Sequence, residues 1–417
     1  MIHVARRVAR VRAPHSLLAA ARLRLRVAPR QQNVLHRGTL PLAPPLRSCS
    51  TAVTAESSVV SGGGDAAIAA WLFGCAGMVC SMVVVGGLTR LTHSGLSMVK
   101  WKPQGGLPPT TTAEWEAEFD LYKEYPEWQL SDKLMDLREF QGIYLLEWAH
   151  RMLGRSIGIA FAVPLAYFVA RGRIGRPLAR RLGGMFALGG AQGAIGWWMV
   201  RSGLHKETMT VTEKGTAHVH PRRLATHLGM AFLLYTLLLD TALGQLPSAA
   251  RAAAARRAQW EGALKALPSL SAASAARAAA RTLRVGALGV AGSVATTILF
   301  GAFVAGNDAG HAFNDWPFYA ERWFPEGAFE LTPLYRNVYD NSGLCQFLHR
   351  SAAYVTVLGA GTVAVVANTG AAAAALPPVA RRAAAALGLA AAAQATMGVM
   401  TLIMYVLLLL LPISLHR

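Results

Sequence analysis

The chain has few charged residues and few cysteines for its length. Only 15% of its 417 residues are charged, 53% are hydrophobic, and there are four cysteines. Soluble globular domains carry about 25% charged residues, so this composition favours a membrane protein with several spans. No Cys-x-x-Cys pair occurs. The sequence therefore predicts neither a disulfide framework nor a zinc site.

Acidic residues are absent from the first 55 positions, which hold ten arginines. An Arg-rich leader without acids is typical of an organellar transit peptide, so we expect residues 1–60 to be a disordered mitochondrial leader. The alternative for such a segment is a basic arm that binds nucleic acid. Removing the ten arginines lowers the formal net charge from +19 to +9, much of it in short loops between apolar segments. We therefore expect a lipid bilayer as the partner, and no nucleic acid.

Apolar segments long enough to cross a bilayer occur seven times in the chain. The loops between them alternate in charge: residues 91–139 hold five basic and nine acidic residues, and 306–344 hold two and six. The positive-inside rule then places the mature N-terminus in the mitochondrial matrix and the acidic loops in the intermembrane space. The predicted spans are 66–88, 141–170, 182–204, 222–244, 285–305, 345–367 and 383–411.

An internal repeat relates the two halves of the chain. Three landmarks recur in the same order, which predicts two similar four-helix halves, 61–246 and 285–417, joined by an Ala/Arg-rich matrix linker, 247–284. Seven spans leave the second half one helix short, so we expect it to be truncated. The matching stretches are "VGGLTRLTHSGLSMVKW" (85–101) with "FGAFVAGNDAGHAFNDW" (300–316), "EWAHR" (147–151) with "QFLHR" (346–350), and "AQGAIG" (191–196) with "AQATMG" (393–398).

Three of the twelve histidines fall inside predicted spans, namely His150, His227 and His349. Each lies near the start of a span that enters from the outer side, so the three imidazoles occupy similar depths. Ionisable groups in a membrane are costly, and three at matched depth indicate ligation of a metal or cofactor. Facing histidines on the helices of a bundle suit a haem held between them. The histidines of the predicted loops are expected to be solvated; they are His93, His205, His218, His220 and His311.

Charged residues accompany two of these histidines. Glu147 lies three positions before His150 and shares its helix face. Arg151 and Arg350 each follow a histidine near the aqueous edge of the membrane. They are expected to pair with haem propionates, or to be interfacial arginines that reach towards water.

Together these motifs resemble haem A synthase of the mitochondrial type, a cytochrome c oxidase assembly protein family. The resemblance covers most of residues 66–405 and includes "PPTTTAEWEAEFDLYKEYPE", "EWAHRMLGR", "GWWMVRSGL", "RLATHLG" and "NSGLCQFLHR". It implies an all-α polytopic membrane protein of eight helices in two pseudo-symmetric four-helix bundle halves. It also implies an oxidoreductase that converts the C8 methyl group of haem O to a formyl group, with water as the oxygen source.

The resemblance also implies a role for each matching residue. His150 and His227 would hold the substrate haem O, and Glu147 would act on the reacting methyl group as a base or by stabilising a developing cation. His349 would be one ligand of a haem b. The resemblance places the second ligand early in an eighth helix, close to His416, but only Arg417 follows that histidine, so we expect the partner of His349 to be absent. The implied partners are the farnesyltransferase that makes haem O, a ferredoxin-type electron-transfer protein and a second copy of the chain.

Two other functions are compatible with the same residues. One is a non-catalytic haem-binding assembly factor that keeps the substrate site without the redox half. The other is a diheme membrane cytochrome that only passes electrons. The second has no need for Glu147 beside its ligand.

Overall fold

The computed structural model describes residues 65–410, except 132, 212–214, 216, 247–254, 256, 259, 263 and 266–269. The predicted leader and His416 lie outside the described residues. Most of the described chain is helical. A short antiparallel hairpin of β1 (Thr210–Val211) and β2 (Ala217–His218) pairs Thr210 with His218.

Long helices form the body of the protein, and shorter ones lie in the connections. The seven long helices are α1, α4, α5, α6, α7, α9 and α11 among the following elements. In chain order the helices are α1 Ala66–Leu91, α2 Thr112–Lys123, α3 Pro126–Gln129, α4 Leu137–Ala170, α5 Arg176–Leu204, α6 Pro221–Gln245, α7 Leu270–Gly306, α8 Asn337–Asp340, α9 Ser342–Asn368, α10 Gly370–Ala375 and α11 Pro378–Leu410, with 3-10 turns at Ala309–His311 and Leu334–Arg336.

Within the described part of the chain, six of the long helices are long and apolar enough to cross a membrane: α1, α4, α6, α7, α9 and α11. All seven predicted spans correspond to long helices, and the all-α polytopic membrane class is confirmed. The helix at the third predicted span, α5, is not among the six. The stretch between its arginines, 182–200, holds six glycines together with Gln192, Trp197 and Trp198, and these residues lower its mean hydropathy.

One predicted boundary differs from the structure. Helix α7 begins at Leu270, so residues 270–284, expected to belong to the linker, form its first turns. This stretch is rich in alanine, which has the highest helix propensity, so the helix continues beyond the apolar segment.

Helix α4 begins at Leu137, where Asp136 and Glu139 form a reciprocal capping box.

The four long helices of the first half pack around one apolar core. Helix α1 lies against α4 and α6, and α5 lies against α6. The core includes Ile68, Leu72, Val79, Phe161, Leu182 and Leu238. In the second half, α9 packs between α7 and α11. The two halves meet where α6 contacts α7, through a small cluster of Ala225, Ala302, Phe303 and Cys345.

The loop between α1 and α4, which the charge pattern predicts to face outwards and which we call the first outer loop, folds into a small aromatic layer over the start of α4. Helix α2 begins with a capping box of Thr111 and Glu114. The ring of Phe119 on α2 stacks on Phe140 of α4, with 4.8 Å between the ring centroids. This packing holds the loop above the membrane-facing part of α4, where the predicted site residues lie.

Candidate functional site

Two of the intramembrane histidines face glycines that the repeat aligns. A methyl group added at Gly86 of α1 would lie 3.1 Å from Nε2 of His150, and one at Gly301 of α7 would lie 3.0 Å from Cε1 of His349. Only a residue without a side chain permits this approach of the imidazole to the neighbouring helix. The repeat seen in the sequence therefore brings equivalent histidines onto equivalent glycines.

The third histidine, His227, lies on the fourth long helix of the first half. A methyl group at Gly196 of α5 would lie 3.0 Å from Cε1 of His227 on α6. The counterpart of Gly196 in the second half is Gly398 of α11, and it has no described atom within 4 Å of that position. His416, which lies close to the position that the resemblance gives the missing partner, is outside the described residues.

The ring nitrogens of these histidines suit iron ligation. Nδ1 of His349 hydrogen-bonds the backbone carbonyl of Thr297 at 3.0 Å, which leaves Nε2 for a ligand. Nδ1 of His227 is buried and has no hydrogen-bond partner among the described residues, which is rare for a buried polar atom. The described residues contain no group of three or more His, Cys, Asp or Glu side chains placed to hold a metal ion. Single imidazoles on separate helices, one of them oriented by a backbone carbonyl, fit a haem, whose iron histidine side chains can hold.

A buried ion pair lies one helical turn from His150. Glu147 is 3% exposed, and Nε of Arg151 donates to its Oε1 at 2.6 Å. The other guanidinium nitrogens donate to the backbone carbonyls of Met98 and Lys100 in the first outer loop, at 2.9 and 3.3 Å. Nδ1 of His150 is 3.9 Å from Oε2 of Glu147, beyond hydrogen-bond range. Arg151 thus fastens the carboxylate to the loop and leaves Oε2 facing the histidine.

The second half has the same arrangement with an amide in place of the acid. In each half an arginine binds both the side chain one turn earlier and the loop before its helix, and we call this arrangement the arginine clamp. Arg350 donates to Oε1 of Gln346 at 2.9 Å and to the carbonyls of Phe313 and Asp315 at 3.0 and 3.1 Å. The repeat pairs these two loop positions with the two whose carbonyls bind Arg151. Each half therefore has an arginine one residue after its histidine that ties α4 or α9 to the loop that precedes the helix.

The acid and the amide have different hydrogen-bonding capacities. Nε2 of Gln346 donates to the carbonyls of Ala309 and Phe313, both at 2.9 Å. Gln346 is thus neutral and bonded at both ends of its amide. Glu147 has no proton to donate when ionised, and it places an ionisable oxygen beside His150. Of these two equivalent positions, only the one in the first half can exchange a proton.

The pairing of Arg151 and Arg350 with haem propionates stays a prediction. In the structure, both guanidinium groups bind side-chain and backbone oxygens of the protein. Beside Arg151, between the first outer loop and α5, lies a cavity of about 230 Å³. Its wall combines aromatic and basic side chains, including Trp101, Trp197 and Arg201. No pattern in the sequence predicts this cavity, because its lining residues come from separate elements.

One expectation about the loop histidines is wrong. His218 was expected to be solvated, but it is 4% exposed, because β2 carries it beneath the outer loops beside Arg90 and Asp308. Burial, together with the positive charge of Arg90, lowers the pKa of His218 to about 4. The signal that could have found this cluster is the repeat, which aligns His93 with Asp308.

The fold and the site define a class of protein: a polytopic helical membrane protein with two related halves and intramembrane histidines suited to haem. A family model described as cytochrome oxidase assembly protein, COX15-CtaA, matches residues 69–413. The chain belongs to this family.

Several relatives with the name Heme A synthase are similar to the chain. That of Rhodospirillum centenum is 44% identical over 294 residues, which cover 70% of each protein. Heme A synthase COX15 of Arabidopsis thaliana is 42% identical over 307 residues, 73% of this chain and 62% of the relative. The protein of Parvibaculum lavamentivorans is 43% identical over 70% of this chain and 75% of its own length. No solved structure matches the chain.

Proposed function

We propose that the protein synthesises haem A by oxidising the C8 methyl group of haem O to a formyl group. The observation that carries the proposal is the buried Glu147, which places an ionisable oxygen beside His150 where the second half has Gln346. A protein that only binds haem or passes electrons has no use for this difference between its halves. The relatives named Heme A synthase support haem A synthesis as the function.

The histidines divide between two haem sites. His150 and His227 lie on two helices that both pack on α1, and they would hold haem O. His349, oriented by the carbonyl of Thr297, would hold a haem b in the second half. When bound, haem b supplies a one-electron redox centre.

The residues around Glu147 would manage the protons of the reaction. Conversion of a methyl to a formyl group takes one oxygen from water and releases four protons and four electrons. Oε2 of Glu147 would accept a proton from the reacting group or stabilise the positive charge that develops there. Arg151 holds Oε1 at 2.6 Å, so the carboxylate cannot rotate away from the histidine side.

The expected location is the mitochondrial inner membrane, with the haem sites towards the intermembrane space. The Arg-rich leader and the alternation of acidic and basic loops support this orientation. The proposed partners are the farnesyltransferase that supplies haem O, a ferredoxin-type electron-transfer protein and a second copy of the chain. A non-catalytic haem-binding assembly factor is the alternative, and product analysis distinguishes the two functions.

Replacement of Glu147 by glutamine tests the proposal. Expressed in a host that makes haem O, the wild-type chain should yield hydroxylated and formyl haem, measured by extraction and chromatography. E147Q should retain haem but lower the formyl yield by about 10²-fold or more, because loss of a general base removes about that much rate.

The matched control is E139Q, two turns earlier on the same helix. Glu139 is exposed, and glutamine can replace glutamate in its capping box, so product formation should be unchanged. Normal formyl yield from E147Q would refute the catalytic role. Unmodified haem O bound to the wild-type chain would favour the assembly-factor function instead.

A further inference from the structure

A cluster of four polar side chains joins the two halves at the outer surface. It consists of Arg90 at the end of α1, His93 just after it, His218 on β2 and Asp308 just after α7; we refer to it as the inter-half cluster. Arg90 donates to Oδ1 of Asp308 at 2.6 Å and to the carbonyl of Ala305 at 2.6 Å. One side chain of the first half thus binds the end of α7 in the second half at two points.

His218 completes the connection between the halves. Its Nδ1 lies 3.1 Å from Nη2 of Arg90 and 3.2 Å from Oδ2 of Asp308, and its Nε2 lies 3.2 Å from Nδ1 of His93. The imidazole rings of His93 and His218 stack, with 5.1 Å between their centroids. Burial and the Arg90 charge keep His218 neutral near pH 7, since its pKa is lowered to about 4. It therefore acts as a hydrogen-bonding bridge and not as a second cation.

The cluster lies where the repeat brings the two halves together. The alignment of 85–101 with 300–316 pairs His93 with Asp308, and Arg90 with Ala305, whose carbonyl it binds. Both His93 and Asp308 have left-handed backbone conformations, with φ of 52° and 51°. Such conformations are uncommon for residues other than glycine and persist where the surroundings enforce them. The same turn in both halves thus presents its polar side chain to His218.

The partial burial of Arg90 and Asp308 makes their contact stronger than a surface ion pair. The side chains of Arg90 and Asp308 are 16% and 23% exposed, so water competes weakly for their charges. Glu127 of the first outer loop is also close enough to interact with Arg90. By contrast, the direct contact of α6 with α7 is a small apolar cluster, which gives packing without a fixed direction. The hydrogen bonds of Arg90 supply that direction.

We propose that Arg90 is a positioning residue that fixes the two halves against each other, so that electrons released in the first half reach the second. The inference rests on the proposed function, because electron transfer between the halves matters only if the substrate is oxidised in one of them. Transfer rates fall exponentially with distance, so a loosened interface slows the reaction while leaving each half intact.

The experiment compares R90Q and R90K with the matched control R173Q in the full-length chain. Arg173 also pairs with an aspartate, Asp65, but both lie in the first half. Spin labels at E116C on α2 and E326C in the second outer segment report the distance between the halves by pulsed electron resonance. The background has C49S and C80S to prevent other labelling.

R90Q should broaden the distance distribution and lower formyl-haem yield about tenfold, since hydrogen bonds of a charged group are among the stronger ones. The haem content of each half should not change. R90K, which restores the charge, should recover most of both properties, and R173Q should change neither. D308N is the second variant: asparagine tolerates the left-handed conformation, so it removes the charge with the backbone kept.

The outcomes separate the two proposals. An unchanged distance distribution in both R90Q and D308N overturns the positioning role, whatever the product yield. A broadened distribution in a protein whose wild type makes no formyl haem keeps the positioning role and refutes haem A synthesis. Loss of haem from both halves in R90Q and D308N alike shows a role in folding and also overturns the proposal.

Discussion

At the residue scale, the two halves differ most in the side chain that precedes each histidine by three positions. Glu147 and Gln346 accept a hydrogen bond from the arginine one turn later, at 2.6 and 2.9 Å. Both halves share this hydrogen-bond geometry, but only Glu147 can ionise, because Gln346 is a neutral amide. An acid in a membrane helix is expensive unless it has a partner or a function, and Arg151 supplies only the partner.

Glu127 in the first outer loop should make stability depend on pH. Burial raises the pKa of Glu127 from 4.5 to about 8, and the nearby Glu147 acts in the same direction. A hydrogen bond from Tyr122 and the charge of Arg90 oppose the shift without cancelling it. The folded state therefore favours the protonated acid, and this contribution is present below about pH 4.5 and lost as the pH rises through about 8.

E127Q removes that dependence, because its amide is neutral at every pH in this range. The unfolding temperature of the wild type in detergent should fall as the pH rises towards 8, and E127Q should show a smaller fall. E116Q, at an exposed position on α2, is the control and should follow the wild type. Parallel curves for E127Q and the wild type would contradict the burial of the acid.

At the scale of the elements, each intramembrane histidine depends on a glycine of a neighbouring helix. His349 reaches α7 between Thr297, whose carbonyl it binds, and Gly301, one turn further on. The glycine and the carbonyl together fix the direction of the ring. The contact that packs α9 against α7 therefore also orients the ring of His349.

G301A should disturb the haem site of the second half. The added methyl group would lie 3.0 Å from Cε1 and 3.3 Å from Nδ1 of His349, so the ring must move and weaken its bond to Thr297. Overpacking of this kind costs about 1–3 kcal/mol. Haem b content, measured by absorbance per protein, should fall towards that of H349A. G292A on the same helix meets no atom within 4 Å and should retain haem; equal retention by G301A would argue against His349 as a ligand.

At the scale of the whole molecule, hydropathy was enough to predict the seven long helices and their order, but not the short helices of the connections. It failed at α7, because the alanine-rich start of that helix is polar enough to look like a linker. The repeat predicted which histidines are equivalent, and the structure places them on equivalent glycines. The inter-half cluster was missed, since it depends on contacts between loops far apart in sequence, such as the 218 positions between Arg90 and Asp308.

The orientation of the molecule in the membrane is also testable. Glu116 lies in the acidic loop that is predicted to face outwards, and Lys265 lies in the basic segment between the halves, which is predicted to face the matrix. In mitochondria with an opened outer membrane, an impermeant maleimide should label E116C, and it should label K265C only after detergent is added. The background again has C49S and C80S. The opposite pattern would reverse the proposed topology.

The paired clamps have a consequence for the origin of the molecule. Glutamate and glutamine are nearly isosteric, and Glu147 and Gln346 occupy equivalent positions in the two halves. In each half an arginine binds this side chain and the loop before the helix. A duplicated ancestral unit could thus acquire a division of labour through the exchange of one carboxylate oxygen for an amide nitrogen. The two halves can then differ in function while their helices keep the same arrangement. The effect of Glu147 can be judged by comparing its half with the half that carries Gln346.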